Sequence, residues 1–395
     1  MRHPAGPAAP LRICIPVHSF EPGGVERVGL RLAERWQAAG HEVTVVLGRD
    51  RGAARGQAPR LDYRTRREPL PTEEWETPWL IWCLWRHLRR HPADVIFCAG
   101  NTYTIVCVVM KLLLGRRCPP VLVKISNDLV RPDFPAPMQA LYRIWVRMQG
   151  RHLDHFVALA EPMLPQIVRE LAIAPSRVEA IPDPALRDDE IATPPAPRPS
   201  GAHGRRFLAV SRLAKQKNLP LMLKAFASIA RPGDRLVIAG EGARRRQLES
   251  CIAELGLSES VSLLGHVDDV RPLLDQAHAV VMSSDYEGVP AVIPEALAAG
   301  RPIAATDCCV SMRWLVQEGT FGVLAPVRDA RALASAMEAA VRMEPDMAAM
   351  HRFSSLFTLE KAAPAYLEAM RALAGNAATC VTGLGGDAKD RVGSC

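Results

Sequence analysis

Residues 277–307 read AHAVVMSSDYEGVPAVIPEALAAGRPIAATD, and their interpretation decides the fold. The apolar run Ala279, Val280, Val281 and Met282 has strand length and is partly β-branched. A Ser/Asp/Gly/Pro cluster over 283–290 marks a loop, and VIPEALAA then reads as a helix. Pro294 is tolerated in the first turn of that helix, and Gly300 is placed as its stop. A second buried-strand signal follows at Pro302-Ile303-Ala304-Ala305. The unit is strand–loop–helix–strand, and in open α/β sheets the loop at the carboxyl end of such a strand is where ligands bind. Glu287 lies on that loop, and Glu295 lies in the first turn of the helix behind it.

The chemistry of this pattern is specific. Free N–H groups and the dipole at a helix start favour a phosphate. Carboxylates nearby would repel it, so they serve better as acceptors for sugar hydroxyls. A nucleotide sugar offers both groups. Taken alone, Glu295 also fits a plain helix-start carboxylate with a dipole role.

The second half of the chain repeats the alternation. Strand signals at 207–211, 235–239 and 261–264 alternate with helical ones at 219–229, 244–255 and 270–277. That alternation predicts a mainly parallel sheet covered on both faces. Arg212 and Lys217 occupy the first strand–helix loop, five residues apart. A diphosphate suits such donors, Arg as a fork and Lys as a point charge; solvated surface cations are the plainer reading. Before this domain, residues 183–206 are rich in Pro, Gly and Ala and read as a linker.

The first half opens with a strand, LRICIPV, a turn containing Gly23-Gly24, a helix over 26–39 and a strand over 41–48. This resembles half of a doubly wound fold, although the turn is not GxGxxG. Residues 49–76 are polar and Arg-rich and read as irregular. Further strands are expected at 94–99, 121–125, 154–159 and 177–181, the third of these leading into a helix over 161–171. Two basic, aromatic stretches, 79–91 (WLIWCLWRHLRRH) and 141–151 (LYRIWVRMQGR), suit either a membrane–water interface or ordinary surface helices with buried aromatics.

At 395 residues with 48% hydrophobic and 23% charged content, the chain has the composition of a soluble protein of two domains. The net charge of +7 is uneven: residues 1–160 carry 23 Lys/Arg against 14 Asp/Glu, the remainder 26 against 28. A basic first half suggests an acidic partner, a phosphorylated acceptor or an anionic membrane surface. No stretch reads as a signal peptide or a membrane span, and the ten cysteines show no CxxC or metal-ligand spacing. These features point to a cytoplasmic protein with free thiols.

The motifs together resemble the retaining, nucleotide-sugar-dependent glycosyltransferases of group 1, or family 4. They are Gly23-Gly24-Val25-Glu26, Ser211-Arg212-Leu213 with Lys217-Asn218, Gly240-Glu241-Gly242, Gly265-His266-Val267, and 284–300 with Glu287 and Glu295 on the E-x7-E signature. The resemblance is strongest over 207–327. It implies the GT-B fold: two doubly wound, Rossmann-like α/β domains facing a cleft. The first would span 1–182 and the second 207–352, with a helix at 353–373 returning to the first and a disordered tail at 374–395.

By the same likeness, Arg212 and Lys217 would neutralise the departing diphosphate, with Glu287 on the donor sugar near the reacting face. Glu295 would bind the ribose, Gly288, Val289 and Pro290 would complete the donor loop, and Gly23 and Gly24 would approach the phosphates. Asn127 and Asp128 stand on the acceptor side. Two positions depart from the pattern. Asn127 stands where many relatives carry His, and Asn cannot act as a base, so proton transfer would fall to the leaving phosphate or another group. Trp314 replaces an acidic residue. No Asp-x-Asp is present, and neither a cofactor nor a metal is expected.

The expected activity is sugar transfer from a nucleotide diphosphate to a glycan or lipid-linked acceptor. Nucleic acid is not an expected partner, and an anionic membrane surface is one through Trp79–Arg90 and Leu141–Arg151. The rival readings are a sugar-nucleotide epimerase or hydrolase of the same fold and a non-catalytic basic binding module. The second leaves the paired glutamates unexplained.

Overall fold

The structure, a computed structural model, describes residues 9–382 apart from 22, 69–70, 73, 132–133, 200–203 and 345, with side chains to 376. It divides into two compact units. One comprises residues 1–159, 164–181 and 362–395, the other 160–163 and 182–361.

The first unit is built on strands β1 (Arg12–Val17), β2 (Glu42–Leu47), β3 (Asp62–Arg64), β4 (Val95–Cys98), β5 (Val121–Ile125), β6 (His155–Ala158) and β7 (Val178–Ala180). They form one parallel sheet in the order β3-β2-β1-β4-β5-β6-β7. β4 and β5 are buried along their whole length, as an apolar run covered on both faces must be. β3 is the departure from expectation, since 49–76 read as irregular. It is an edge strand, Asp-Tyr-Arg, whose place is set by backbone pairing to Thr44, Val45 and Val46 rather than by apolar side chains. Trp36 anchors the core: it is fully buried, meets Phe97 edge-on, and donates from Nε1 to the Ala363 carbonyl at 2.9 Å.

The second unit carries β8 (Arg206–Val210), β9 (Arg235–Ala239), β10 (Val261–Gly265), β11 (Ala279–Met282), β12 (Ile303–Thr306) and β13 (Gly322–Ala325). The sheet is parallel, in the order β10-β9-β8-β11-β12-β13. The strand order reverses between β8 and β11, so the loops after these two strands diverge from a topological switch point. The helix Leu219–Ile229 buries Leu219, Leu221, Met222, Leu223, Ala225 and Phe226 against this sheet.

Two expectations of chain layout are corrected. The Pro-rich stretch read as a linker packs onto the second unit from residue 182 onward and contains a short helix, Asp188–Ala192. Arginines hold it. Arg198 donates to the carbonyls of Met343, His278 and Val341, and the fully buried Arg301 donates to that of Ala196 at 2.7 Å. Burial lowers the Arg301 pKa to about 10. The helix expected at 353–373 begins later, at Leu359, because Thr358 is extended (φ −94°, ψ 152°), and it runs to Thr382. The remainder of the tail expected to be disordered, 383–395, lies outside the described residues.

Candidate functional site

The switch point of the second unit gathers three loops. After β8 the chain makes a short turn at Lys215–Lys217, and Asn218 adopts a left-handed conformation (φ 43°) before the helix starts. Asn tolerates that conformation better than most residues. Its side-chain amide donates to Asp285 Oδ1 at 2.9 Å, on the loop after β11. The two loops are laced further. Ser283 Oγ donates to the Lys217 carbonyl at 2.8 Å, the Asp285 N–H to the Gln216 carbonyl at 2.8 Å, and Gln216 Nε2 to the Tyr286 carbonyl at 2.8 Å. From below, Thr306 Oγ1 donates to the Ser284 carbonyl at 2.6 Å and the Cys309 thiol to the Gly288 carbonyl at 3.0 Å.

This lacing closes one ion pair: Lys217 Nζ lies 2.5 Å from Glu287 Oε1. Both side chains are largely buried, at 17% and 9% exposure. The sequence assigned the two groups separate tasks, and the structure brings them together. Arg212 is exposed on the same loop as Lys217, with no hydrogen-bond or ion-pair partner for its guanidinium among the described residues. Gly288, Val289 and Pro290 are buried, so what they can offer a ligand is backbone. Glu295 is half-buried in the first turn of the helix Val292–Ala298.

The third loop, Gly240-Glu241-Gly242, needs its glycines. Gly240 has φ +139°, and a Cβ there would stand 1.9 Å from the Ser211 carbonyl oxygen; one on Gly242 would stand 2.6 Å from that of Leu213. Ser211 N–H donates to the Ala239 carbonyl at 3.0 Å and Leu213 N–H to the Glu241 carbonyl at 2.9 Å, fixing the backbone on both sides of Arg212. The Glu241 side chain is exposed, and its hydrogen bond from Arg245 lowers its pKa.

In the first unit, Gly23 caps the helix Gly24–Ala38 in an extended conformation (φ −131°). Its lack of a side chain serves close approach: a Cβ there would meet Glu26 Oε2 at 2.1 Å. Gly24 is open, with nothing within 4 Å of such an atom. Glu26 Oε1 accepts from the fully buried Tyr103 hydroxyl at 2.7 Å, and the Tyr103 ring stacks on His18 at 4.8 Å. Burial lowers the pKa of His18, whose Nε2 lies 3.2 Å from Thr77 Oγ1. Asn127 and Asp128 are half-buried just past β5. The sequence reading missed His18, Tyr103 and Asn101, whose Oδ1 accepts from the Ser126 N–H at 2.7 Å. Tyr103 stands 77 residues from Glu26, and no local pattern links them. Trp314 is a packing residue, edge-on to Phe353 and Phe357 at 5.1 and 5.7 Å. Among the described residues, no group of three or more His, Cys, Asp or Glu side chains could share a metal ion.

What the second-unit site can do chemically follows from its charges. A lysine paired at 2.5 Å to a nearly buried carboxylate is a cation held ready beside a hydroxyl acceptor. An exposed guanidinium on the same loop adds a second donor for an anion.

Comparison with known proteins agrees with both halves of this description. The model of Glycosyltransferase Family 4 matches residues 22–185, and that of Glycosyl transferases group 1 matches 204–342. An exopolysaccharide phosphotransferase of Streptomyces coelicolor is 32% identical over 189 residues, covering 47% of this chain and 19% of that protein. The lipopolysaccharide core biosynthesis glycosyltransferase LpsE of Rhizobium meliloti is 31% identical over 131 residues, covering 33% of this chain and 38% of LpsE. The aligned stretches thus span well under half the length of these relatives. The crystal structure of Anabaena HepE in complex with UDP superposes with a TM-score of 0.69 at 18% identity, covering 92% of this chain and 100% of that one. That likeness establishes the GT-B fold. The chain belongs to the group 1, or family 4, glycosyltransferases.

Proposed function

We propose that the protein is a retaining glycosyltransferase that moves a sugar from a nucleotide diphosphate to a glycan or lipid-linked acceptor in cell-envelope polysaccharide or glycolipid synthesis. The observation that carries this reading is the Lys217–Glu287 pair at the carboxyl edge of the β8/β11 switch point. An incoming diphosphate competes with Glu287 for the lysine. Once Lys217 turns to the phosphates with Arg212, Glu287 is released to accept hydrogen bonds from donor-sugar hydroxyls. The two cations then act where the leaving group gains negative charge, which is electrostatic stabilisation of the transition state, while the carboxylate orients the donor sugar. Glu295 takes the ribose, the backbone of Gly288, Val289 and Pro290 lines the donor, and Gly23 and Gly24 serve the phosphates. Asn127 and Asp128 belong to the acceptor side, and no metal or cofactor takes part.

Support comes from the family membership, from a structural neighbour in complex with UDP, and from a relative named for lipopolysaccharide core biosynthesis. We place the enzyme in the cytoplasm, peripheral to the inner face of the membrane where a lipid-linked acceptor would be met. No helix among the described residues is long and apolar enough to cross a membrane. The test is a panel of nucleotide sugars, read by heat-stability shift and nucleotide diphosphate release, with Glu287→Ala and Arg212→Ala beside the wild type. One donor stabilising the wild type but neither variant supports the site and names the sugar. A product anomer opposite to the donor's rejects retention, and silence across the panel from a folded protein rejects the activity.

A further inference from the structure

The two basic, aromatic stretches of the first unit behave differently once folded. The helix Glu76–Leu88 buries Trp79, Leu80, Cys83 and Leu84, and only Trp82 among its large apolar side chains stands exposed. Arg86 lies over the Trp82 ring and Arg89 over the Trp85 ring, so these cations are already spent on aromatic faces.

The helix Ala136–His152 has the opposite balance. It buries only Val146, Gln149 and Gly150, yet leaves Met138, Leu141, Ile144 and Met148 exposed. Leu141 and Ile144 are 69% and 64% exposed. The spacing of these four puts them on one stripe of the helix. Arg143, Arg147 and Arg151 recur every four residues in a separate row beside it, all exposed and none in an ion pair among the described residues. A globular helix commonly divides into one apolar core face and one polar solvent face. Here the solvent face is itself divided, half apolar and half cationic. The adjoining helix Thr104–Leu114 adds exposed Ile105, Leu112 and Leu113, followed by exposed Arg116 and Arg117.

We infer that this surface, centred on the helix Ala136–His152, docks the protein on an anionic lipid bilayer, with the apolar stripe entering the headgroup–acyl boundary and the arginine row against lipid phosphates. Charge complementarity selects that occupant. An apolar stripe alone would suit a second copy of the chain, but a row of unpaired arginines along it opposes a like-charged copy and favours an anionic surface. The proposal deepens the reading of a lipid-linked acceptor, and the helix Glu76–Leu88 is not part of the docking face.

The test is flotation of the full-length protein with vesicles of phosphatidylglycerol and, separately, of phosphatidylcholine. Three variants accompany it: L141E with I144E; R143Q, R147Q and R151Q together; and R86Q, R89Q and R90Q together. All the altered residues lie outside the donor site, and donor-induced heat-stability shifts are recorded on each. The wild type is expected to float with phosphatidylglycerol alone. The arginine-row variant should bind about fivefold less for each arginine removed. The apolar-stripe variant should lose flotation, and the 86/89/90 variant should keep it. A wild type that stays behind with both lipids overturns the proposal, as does a stripe variant that floats like the wild type. A stripe variant that changes only the self-association seen in sedimentation velocity overturns it in favour of a second copy. Loss of the donor shift in the wild type with flotation intact counts against the proposed activity and leaves the docking face standing.

Discussion

Replacing Lys217 by methionine removes the cation from a carboxylate that has little water to turn to. With Nζ and Oε1 at 2.5 Å, unit charges at an effective dielectric constant of about 20 attract by about 7 kcal/mol, much of it offset by desolvation. Breaking a buried pair from one side costs about 3–5 kcal/mol. Lys217 retains 17% exposure, so the lower end applies and K217M should cost about 3 kcal/mol. The double variant K217M/E287Q leaves no uncompensated charge and should recover about 2 kcal/mol of that loss through the coupling term. Activity should not follow stability. Both variants lack the diphosphate's cation and should turn over about 10²–10³-fold more slowly than the wild type. Urea unfolding followed by hydrogen exchange over 204–342 reads the second unit apart from the first, and diphosphate release reads turnover. A double variant no more stable than K217M would falsify the reasoning, because the uncompensated charge on Glu287 would then not be what destabilises K217M.

Three further outcomes are expected. G240A places a methyl group at φ +139° and 1.9 Å from the Ser211 oxygen, and should destabilise the second unit by about 3 kcal/mol or more; an unchanged urea midpoint would show that the 211–213 loop can give way. R198A leaves the carbonyls of Met343, His278 and Val341 without their donor, and at about 1 kcal/mol each should cost about 3 kcal/mol; a loss below about 0.5 kcal/mol would mean water replaces the guanidinium. Burial first, then the stacked His91, push His87 down to about 4 from an ordinary 6.5. Between those values the unfolded chain binds more protons than the folded one, so this contribution is complete above pH 6.5 and is lost as the pH falls toward about 4. H87Q should flatten the acid limb of a stability-against-pH curve over that window, and an unaltered slope would assign the limb to other groups.

What could be read in the sequence was what repeats locally. The apolar runs at 279–282 and 302–305 announced strands of a parallel sheet, and Gly240-Glu241-Gly242 stood out as a motif, though the close backbone approach its glycines permit appeared only in the structure. The loop carrying Glu287 was legible because strand, turn cluster and helix follow without interruption. Partners distant in sequence were not legible. Lys217 and Glu287 are 70 residues apart, and only the return of β11 beside β8 makes them neighbours. The aromatic stretches misled in a related way. Composition made 79–91 and 141–151 look alike, but the first packs Trp79, Leu80, Cys83 and Leu84 inward and the second turns its leucine and isoleucine out. Which side of a helix meets the sheet depends on its neighbours, and the second stretch carries more apolar surface than one core face can use.

The arginines that bind 182–199 to the second unit bear on how this protein can be taken apart. The group 1 family match covers 204–342, and the change in composition near 206 invites a cut there. A fragment trimmed at that border would strip Ala196 from Arg301 and take away Arg198 altogether, while also removing Met343. The excised piece would expose a guanidinium that the intact chain keeps fully buried, beside a sheet that is otherwise complete. The unit of inheritance and the unit of folding therefore have different ends here. A recombinant half-protein, or a natural fusion built from one, should keep its shape only if it carries residues 182–361.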